Sequence, residues 1–270
     1  MYRMPVSFGP SYGPRSGIGG RTFRNLAVKN TSYSVSFLTN REQLEAVVPP
    51  GFEVGREPIV TVSVVLLREL EWLAGRGYNI VAVTFPVVYN GEEEQAIGDF
   101  MPVLWENLAD PIITGREELG YSKIYAEIPE PRVQDDRVGC VAGWLGFKFL
   151  DLNIGNLIQL SPQELEEHKE QAGKQRNDGV IHYKYMPRTG SLKEPDASYA
   201  TIRPSPGLGY LREMWRGEGT LEFHEATWED LPTMVDVVNT LYNLEKVEYR
   251  GACVTKSVGG TDLSEVRILR

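Results

Sequence analysis

Only two cysteines occur in the 270 residues, Cys140 and Cys253, each inside an apolar run and without Cys-x-x-Cys spacing. That excludes a disulfide framework, leaves both thiols as small buried hydrophobes and suits a reducing compartment. The three histidines, His168, His182 and His224, lie far apart and lack the short pair spacing of common metal motifs, so no bound metal is expected. Basic runs are absent and the formal net charge is −9, which argues against a nucleic-acid partner. Long apolar runs are missing as well: Ile59 to Leu67 is far too short to cross a bilayer, and the Gly-, Pro- and Ser-rich start of the chain does not read as a signal peptide. A cytoplasmic protein without a membrane partner is therefore expected. No internal repeat is visible, and Gly17-Ile18-Gly19-Gly20 is no dinucleotide fingerprint, because no strand precedes it and no helix follows.

What is present is mostly strand pattern. After an amino-terminal arm ending near Arg24, apolar and β-branched runs predict strands at Thr31 to Leu38, Ile59 to Leu67, Tyr78 to Tyr89, Lys123 to Ile128, Val138 to Phe149, Val180 to Met186, Tyr199 to Arg203, Leu221 to Thr227, Val247 to Val254 and Val266 to Leu269. Without regularly intervening helices, these favour an α+β chain dominated by an antiparallel sheet or barrel. Three helices are signalled. Ser161-Pro162-Gln163-Glu164 combines an N-cap, a first-turn proline and a capping-box glutamate for a helix from Pro162 to Gln171. Asn40 to Val48 follows a Thr39/Asn40 cap and stops at Pro49-Pro50, and Asp230 caps Leu231 to about Leu241. A chain of this length buries a large core as one unit, residues 1–270. The acidic clusters Glu92 to Glu94 and Glu164 to Glu170 read as solvated surface.

One lysine stands out. From Tyr121 to Ile128 the residues alternate, with Ile124, Ala126 and Ile128 on one strand face and Tyr121, Lys123, Tyr125 and Glu127 on the other. By pattern alone Lys123 is a lysine on the wet side of a half-buried strand.

Gly115-Arg116-Glu117, with five residues before Lys123, resembles the Schiff-base segment of the acetoacetate decarboxylase family. Shorter stretches agree: Arg3-Met4-Pro5 with Phe8-Gly9-Pro10, Gly98-Asp99-Phe100 through Trp105-Glu106-Asn107 to Asp110-Pro111-Ile112, Tyr185-Met186-Pro187, Phe223-His224-Glu225 and Asp230-Leu231-Pro232. The resemblance implies a closed or cone-like β-barrel with peripheral helices around Lys123, a homo-oligomer, a keto-acid substrate and amine catalysis. The lysine itself serves as electron sink, so no cofactor is called for.

Only a neutral amine attacks a ketone. At a pKa of about 10.4 roughly 0.04% of a lysine is neutral at pH 7, and holding it neutral there takes about 5 to 6 kcal/mol. The resemblance implies that such a lysine is activated by desolvation or by a neighbouring cation. The family's adjacent second lysine is replaced here by Ile124, which leaves desolvation in a pocket lined by Tyr121 and Tyr125 as the expected cause.

Decarboxylating members also carry an arginine and two glutamates whose places fall, by register, near Thr31, Ser63 and Ile80, none of them charged. Thr31, Ser63, Asn79, Tyr121 and Tyr249 are then candidate hydroxyl or amide partners of the substrate, and Arg116 and Glu106 candidate charged ones. Three readings stand: a lyase that decarboxylates a β-keto acid through an iminium at Lys123; an aldolase, dehydratase or cyclase that uses the same lysine on a pyruvate-like α-keto acid; and a non-catalytic small-molecule binder.

Overall fold

The computed structural model describes residues 5, 8–9, 23, 25–191, 193–260 and 263–270. Most of the expected arm, including Arg3-Met4, Pro10 and Gly17 to Gly20, lies outside the described residues. The described residues build fourteen strands: β1 (Lys29–Leu38), β2 (Phe52–Val54), β3 (Ile59–Arg68), β4 (Tyr78–Asn90), β5 (Gln95–Glu106), β6 (Lys123–Tyr125), β7 (Arg132–Gln134), β8 (Arg137–Trp144), β9 (Phe147–Gln159), β10 (Gly179–Pro187), β11 (Pro195–Pro204), β12 (Leu211–Phe223), β13 (Glu248–Val258) and β14 (Arg267–Ile268). Four helices accompany them: α1 (Arg41–Glu45), α2 (Ala109–Thr114), α3 (Pro162–Gly173) and α4 (Val235–Tyr242).

The strands form one sheet in the order β14-β11-β10-β5-β4-β3-β1-β13-β12-β9-β8-β7, with β2 added to β4 and β6 to β5. The described pairings are antiparallel except for β10 and β6, which both run parallel to β5. This order ends at β14 and β7, so the sheet is not closed and the expected closed barrel is not confirmed. Both edge strands are short, two residues in β14 and three exposed residues in β7, and offer little backbone to pair.

Alternation explains the buried face. In β3 the even-numbered valines, Val60, Val62 and Val64, are fully buried while their neighbours are half-exposed. They join Val81, Val83 and Phe85 of β4 and Trp105 of β5 in the main core, which α4 covers with Val238 and Leu241. The Trp105 ring lies 5.2 Å from that of Phe149, and its indole N–H faces the Met234 sulfur at 3.4 Å.

Several elements depart from the sequence expectation. The run Val138 to Phe149 is a hairpin, because Leu145 and Gly146 take φ of 46° and 92°, the left-handed pair of a two-residue turn. Leucine is an unusual first residue there, which hides the turn. Strand β5 was expected only as a strand-and-loop run; Pro102, which has no N–H to give, sits where the ladder to β4 bulges, with Met101 and Pro102 facing Thr84. Strand β12 begins at Leu211 rather than Leu221, its pattern interrupted by Gly217 and Gly219. Helix α4 starts at Val235 because Asp230 closes a preceding turn, accepting from the Thr227 N–H at 2.9 Å and its hydroxyl at 2.8 Å. The other caps form as read: Asn40 accepts from the Glu42 N–H, and Ser161 and Glu164 complete a capping box. Among the described residues no helix is long and apolar enough to cross a membrane.

Candidate active site

The site forms where one edge of β5 is shared. Strand β10 pairs with Asp99 and Phe100, then diverges, and β6 takes over at Leu104 to Glu106. The chain between them, α2 and a wider helical turn over Gly115–Leu119, crosses the gap and delivers Lys123 onto β5. Thr201 holds this crossover from β11 by donating its hydroxyl to the Leu119 carbonyl at 3.0 Å, and Lys184 of β10 donates to the Glu117 carbonyl at 2.7 Å.

Lys123 is 5% exposed. Its Nζ lies 2.9 Å from Oε1 of Glu106, itself 0% exposed, and donates to the Pro111 carbonyl at 3.0 Å. The amine also stands 5.5 Å from the centre of the Tyr121 ring, within cation–π range. Arg116 donates from its guanidinium to the Lys123 carbonyl at 2.9 Å and so fixes the backbone beneath the amine. Gly115 packs against the lysine's aliphatic stem. The amine is buried, as expected, but its pocket is not apolar: a carboxylate faces it. Tyr125 does not line the pocket, being 46% exposed, because β6 ends there once the three residues of β5 beside it are used.

The other candidates scatter. Across the sheet, Lys123, Leu104, Ala82, Ser63 and Ser34 are successive register partners and share one face. Ser63 thus lies on the lysine's face, half-buried, its hydroxyl 2.8 Å from that of Ser34, which is 3.1 Å from that of Ser32. Thr31 and Asn79 alternate onto the opposite face. The Asn79 amide donates to the Ile128 carbonyl at 2.8 Å, and its N–H bonds Asn107 at 2.7 Å, bracing the turn that follows Glu106. Tyr249 is tied to the Leu221 backbone on β12, with its N–H at 3.2 Å and carbonyl at 3.0 Å. Ile80 pairs directly with Glu106, so a carboxylate from β5 stands opposite the β4 position where the resemblance seeks a glutamate.

Sequence reading missed His182. It is 1% exposed on β10 and stacks on Tyr121 with ring centres 4.0 Å apart and planes 16° from parallel. Burial, followed by the charges of Arg203 and Lys123, pushes its pKa down to about 3, so the ring is neutral. The one local signal is a histidine inside an apolar strand run. Burial pushes the Cys140 thiol up to about 12 and raises Cys253, so neither is a ready nucleophile. His224 bonds Asp151 at 2.6 Å, away from the lysine on β9 and the end of β12. Among the described residues no cluster of three or more His, Cys, Asp or Glu is placed to hold a metal ion.

Comparison with known proteins bears on the family and the fold. A family model described as acetoacetate decarboxylase matches residues 3–254. An acetoacetate decarboxylase of Clostridium botulinum (strain Eklund 17B / Type B) is 25% identical over 212 residues, covering 74% of this chain and 76% of that protein. A solved acetoacetate decarboxylase superposes with a TM-score of 0.65 at 16% identity, over 92% of this chain and 91% of that one. The enduracididine biosynthesis enzyme MppR, complexed with the condensation product of pyruvate and imidazole 4-carboxaldehyde, superposes with a TM-score of 0.63 at 16% identity, over 98% of both chains.

Proposed function

The chain belongs to the acetoacetate decarboxylase family, and from that premise we propose that it is a lyase that binds a keto acid as an imine on Lys123, with decarboxylation of a β-keto acid as its reaction. The observation that carries this reading is the sealed contact between the Lys123 amine and the Glu106 carboxylate at 2.9 Å. A buried amine with a carboxylate beside it has a base to receive the proton that it must lose before attacking a carbonyl.

The chemistry follows from those groups. Glu106 takes the ammonium proton, and the free amine adds to the ketone carbon. Loss of water gives the iminium. The substrate carboxylate leaves as carbon dioxide while its bonding electrons pass through the α-carbon into the enamine. The enamine takes a proton at that carbon, and water hydrolyses the resulting imine to release the ketone and restore the amine. Tyr121 presents an aromatic face toward the charged nitrogen, and the half-buried hydroxyls of Ser63 and Ser34 offer hydrogen bonds to the rest of the substrate along the same sheet face.

A second reading shares the imine but changes the bond. The positions expected to carry the family's charges, Ser63 and Ile80, present none beside Glu106, and the similar fold of MppR holds a condensation product of pyruvate. A pyruvate imine that loses a C3 proton to Glu106 would condense with an aldehyde.

Borohydride reduction in the presence of acetoacetate or pyruvate, followed by peptide mapping, tests the common step. An adduct on Lys123 is expected, and its absence with both keto acids would leave the chain a binder without this chemistry. Carbon dioxide release from acetoacetate supports decarboxylation; condensation of pyruvate with an aldehyde, without that release, supports the second reading.

A further inference from the structure

We infer that His182 is a positioning residue of this site, an aromatic plate on β10 that braces Tyr121 and, through Tyr121, sets the surroundings of the Lys123 amine. The inference rests on the reading of Lys123 as the reacting amine. Three observations lead to it.

The stack is close and nearly flat, 4.0 Å between centres at 16°, and it adds a ring contact to the Lys184 bond that also ties β10 to the crossover. Tyr121 sits on the crossover, whereas His182 belongs to β10, which has already parted from β5 at Phe100. The stack therefore spans the split that makes room for Lys123.

Second, the ring's nitrogens are not available to a substrate. The backbone of Met101 takes a hydrogen bond from the ring, and Nδ1 is sealed from solvent with no partner among the described residues. A buried polar atom without a partner calls for an explanation, because folding normally removes such groups. No substrate atom reaches Nδ1 unless the site first reorganises. What the ring offers the site is its plane, and an orientation fixed from Met101.

Third, the ring adds no charge. Arg203 and Lys123 both oppose its protonation, so the iminium forms without a second cation stacked behind Tyr121. Glu106 then remains the acidic group in direct contact with the amine.

The test compares His182→Phe, which keeps the plane, with His182→Leu, which fills similar volume without it, alone and combined with Tyr121→Leu. Two quantities are read: the rate at which borohydride traps the keto-acid imine, and the rate at which acetic anhydride labels Lys123, which needs no substrate. His182→Leu should slow imine trapping about tenfold, the scale on which small misplacements of reacting groups act, and should speed labelling of Lys123 by opening its cover. His182→Phe should restore most of the wild-type value of both. The Tyr121→Leu/His182→Leu double variant should match Tyr121→Leu alone, since groups that act through one another do not add. Equal losses in His182→Phe and His182→Leu would assign the role to a ring nitrogen and overturn the inference, as would independent, additive effects in the double variant. If wild type traps no imine, the labelling rates still judge the brace, while the reading of Lys123 as an imine former fails separately.

Discussion

Gly115 and Lys123 occupy one another's space: a Cβ built on Gly115 would lie 2.5 Å from both Cδ and Cε of the lysine and 2.8 Å from its Nζ. The glycine has ordinary right-handed helical dihedrals, φ −66° and ψ −41°, so its backbone does not require glycine. The lysine does. The Gly-Arg-Glu segment thus carries two local devices for one side chain, an empty side-chain position for its stem and, next to it, an arginine that holds its carbonyl.

Gly115→Ala should therefore displace the Lys123 side chain while leaving the helical turn intact. Imine trapping should fall by about a hundredfold, as expected when a reacting group moves by about 1 Å, with circular dichroism unchanged. Near wild-type trapping would mean that the lysine has another place to lie.

The buried pair makes a prediction about stability. Lys123→Met removes one charge and strands the other, which should destabilise the fold by about 3 to 5 kcal/mol; replacing both partners, Lys123→Met with Glu106→Leu, should recover most of that loss. Urea unfolding measures both. A double variant as unstable as the single one would show that Glu106 is not held in place chiefly by the amine.

Thr201 lies on β11, away from the chemistry, yet bonds the turn that carries the site. Thr201→Val keeps the shape and leaves the Leu119 carbonyl unpaired, at a cost of about 1 to 3 kcal/mol. The thermal midpoint should drop, and imine trapping with it, because the crossover loosens. A lowered midpoint with trapping unchanged would separate the turn's stability from the lysine's placement.

His182 gives the fold a pH dependence. Burial holds the folded ring's pKa at about 3, against 6.5 for an ordinary histidine. Above pH 6.5 neither the folded nor the unfolded ring carries a proton; as pH falls toward 3 the unfolded chain gains one that the folded protein refuses. Stability is lost across that window, with a slope approaching about 1.4 kcal/mol per pH unit from this group. His182→Phe should remove that increment. Urea denaturation at about pH 7, 6 and 5 reads it as a shallower slope in the variant; parallel slopes would mean that the buried ring accepts a proton after all.

The local rules carried much of the fold. Period-two burial in β3 and over much of β4, the capping box of α3 and the Asn40 cap are all set within a few residues, and so were legible. The lysine was legible only through the Gly-Arg-Glu resemblance, since alternation alone left it on the wet face. Elements that break local rules were hidden: the Leu145-Gly146 turn, the strand through Pro102, and the helical run Ala109–Leu119, which contains Pro111 and Gly115. The register of the resemblance also misled, grouping Thr31 and Asn79 with Ser63 although they face the other way, while Ser32, one residue from Thr31, lies on the lysine's face.

The sequence by itself determined that this chain is a sheet-rich protein, acidic overall and poor in cysteine, with a lysine shortly after a Gly-Arg-Glu segment. Only the tertiary structure decided what that lysine meets. Glu106 meets it directly from β5 and His182 stands behind Tyr121 on β10, both because β5 shares one edge between two parallel neighbours. Such an arrangement depends on strand order, which no pattern of a few residues encodes. An amine's chemistry is set by the charges and planes within a few ångströms of it, and these are contacts across the sheet.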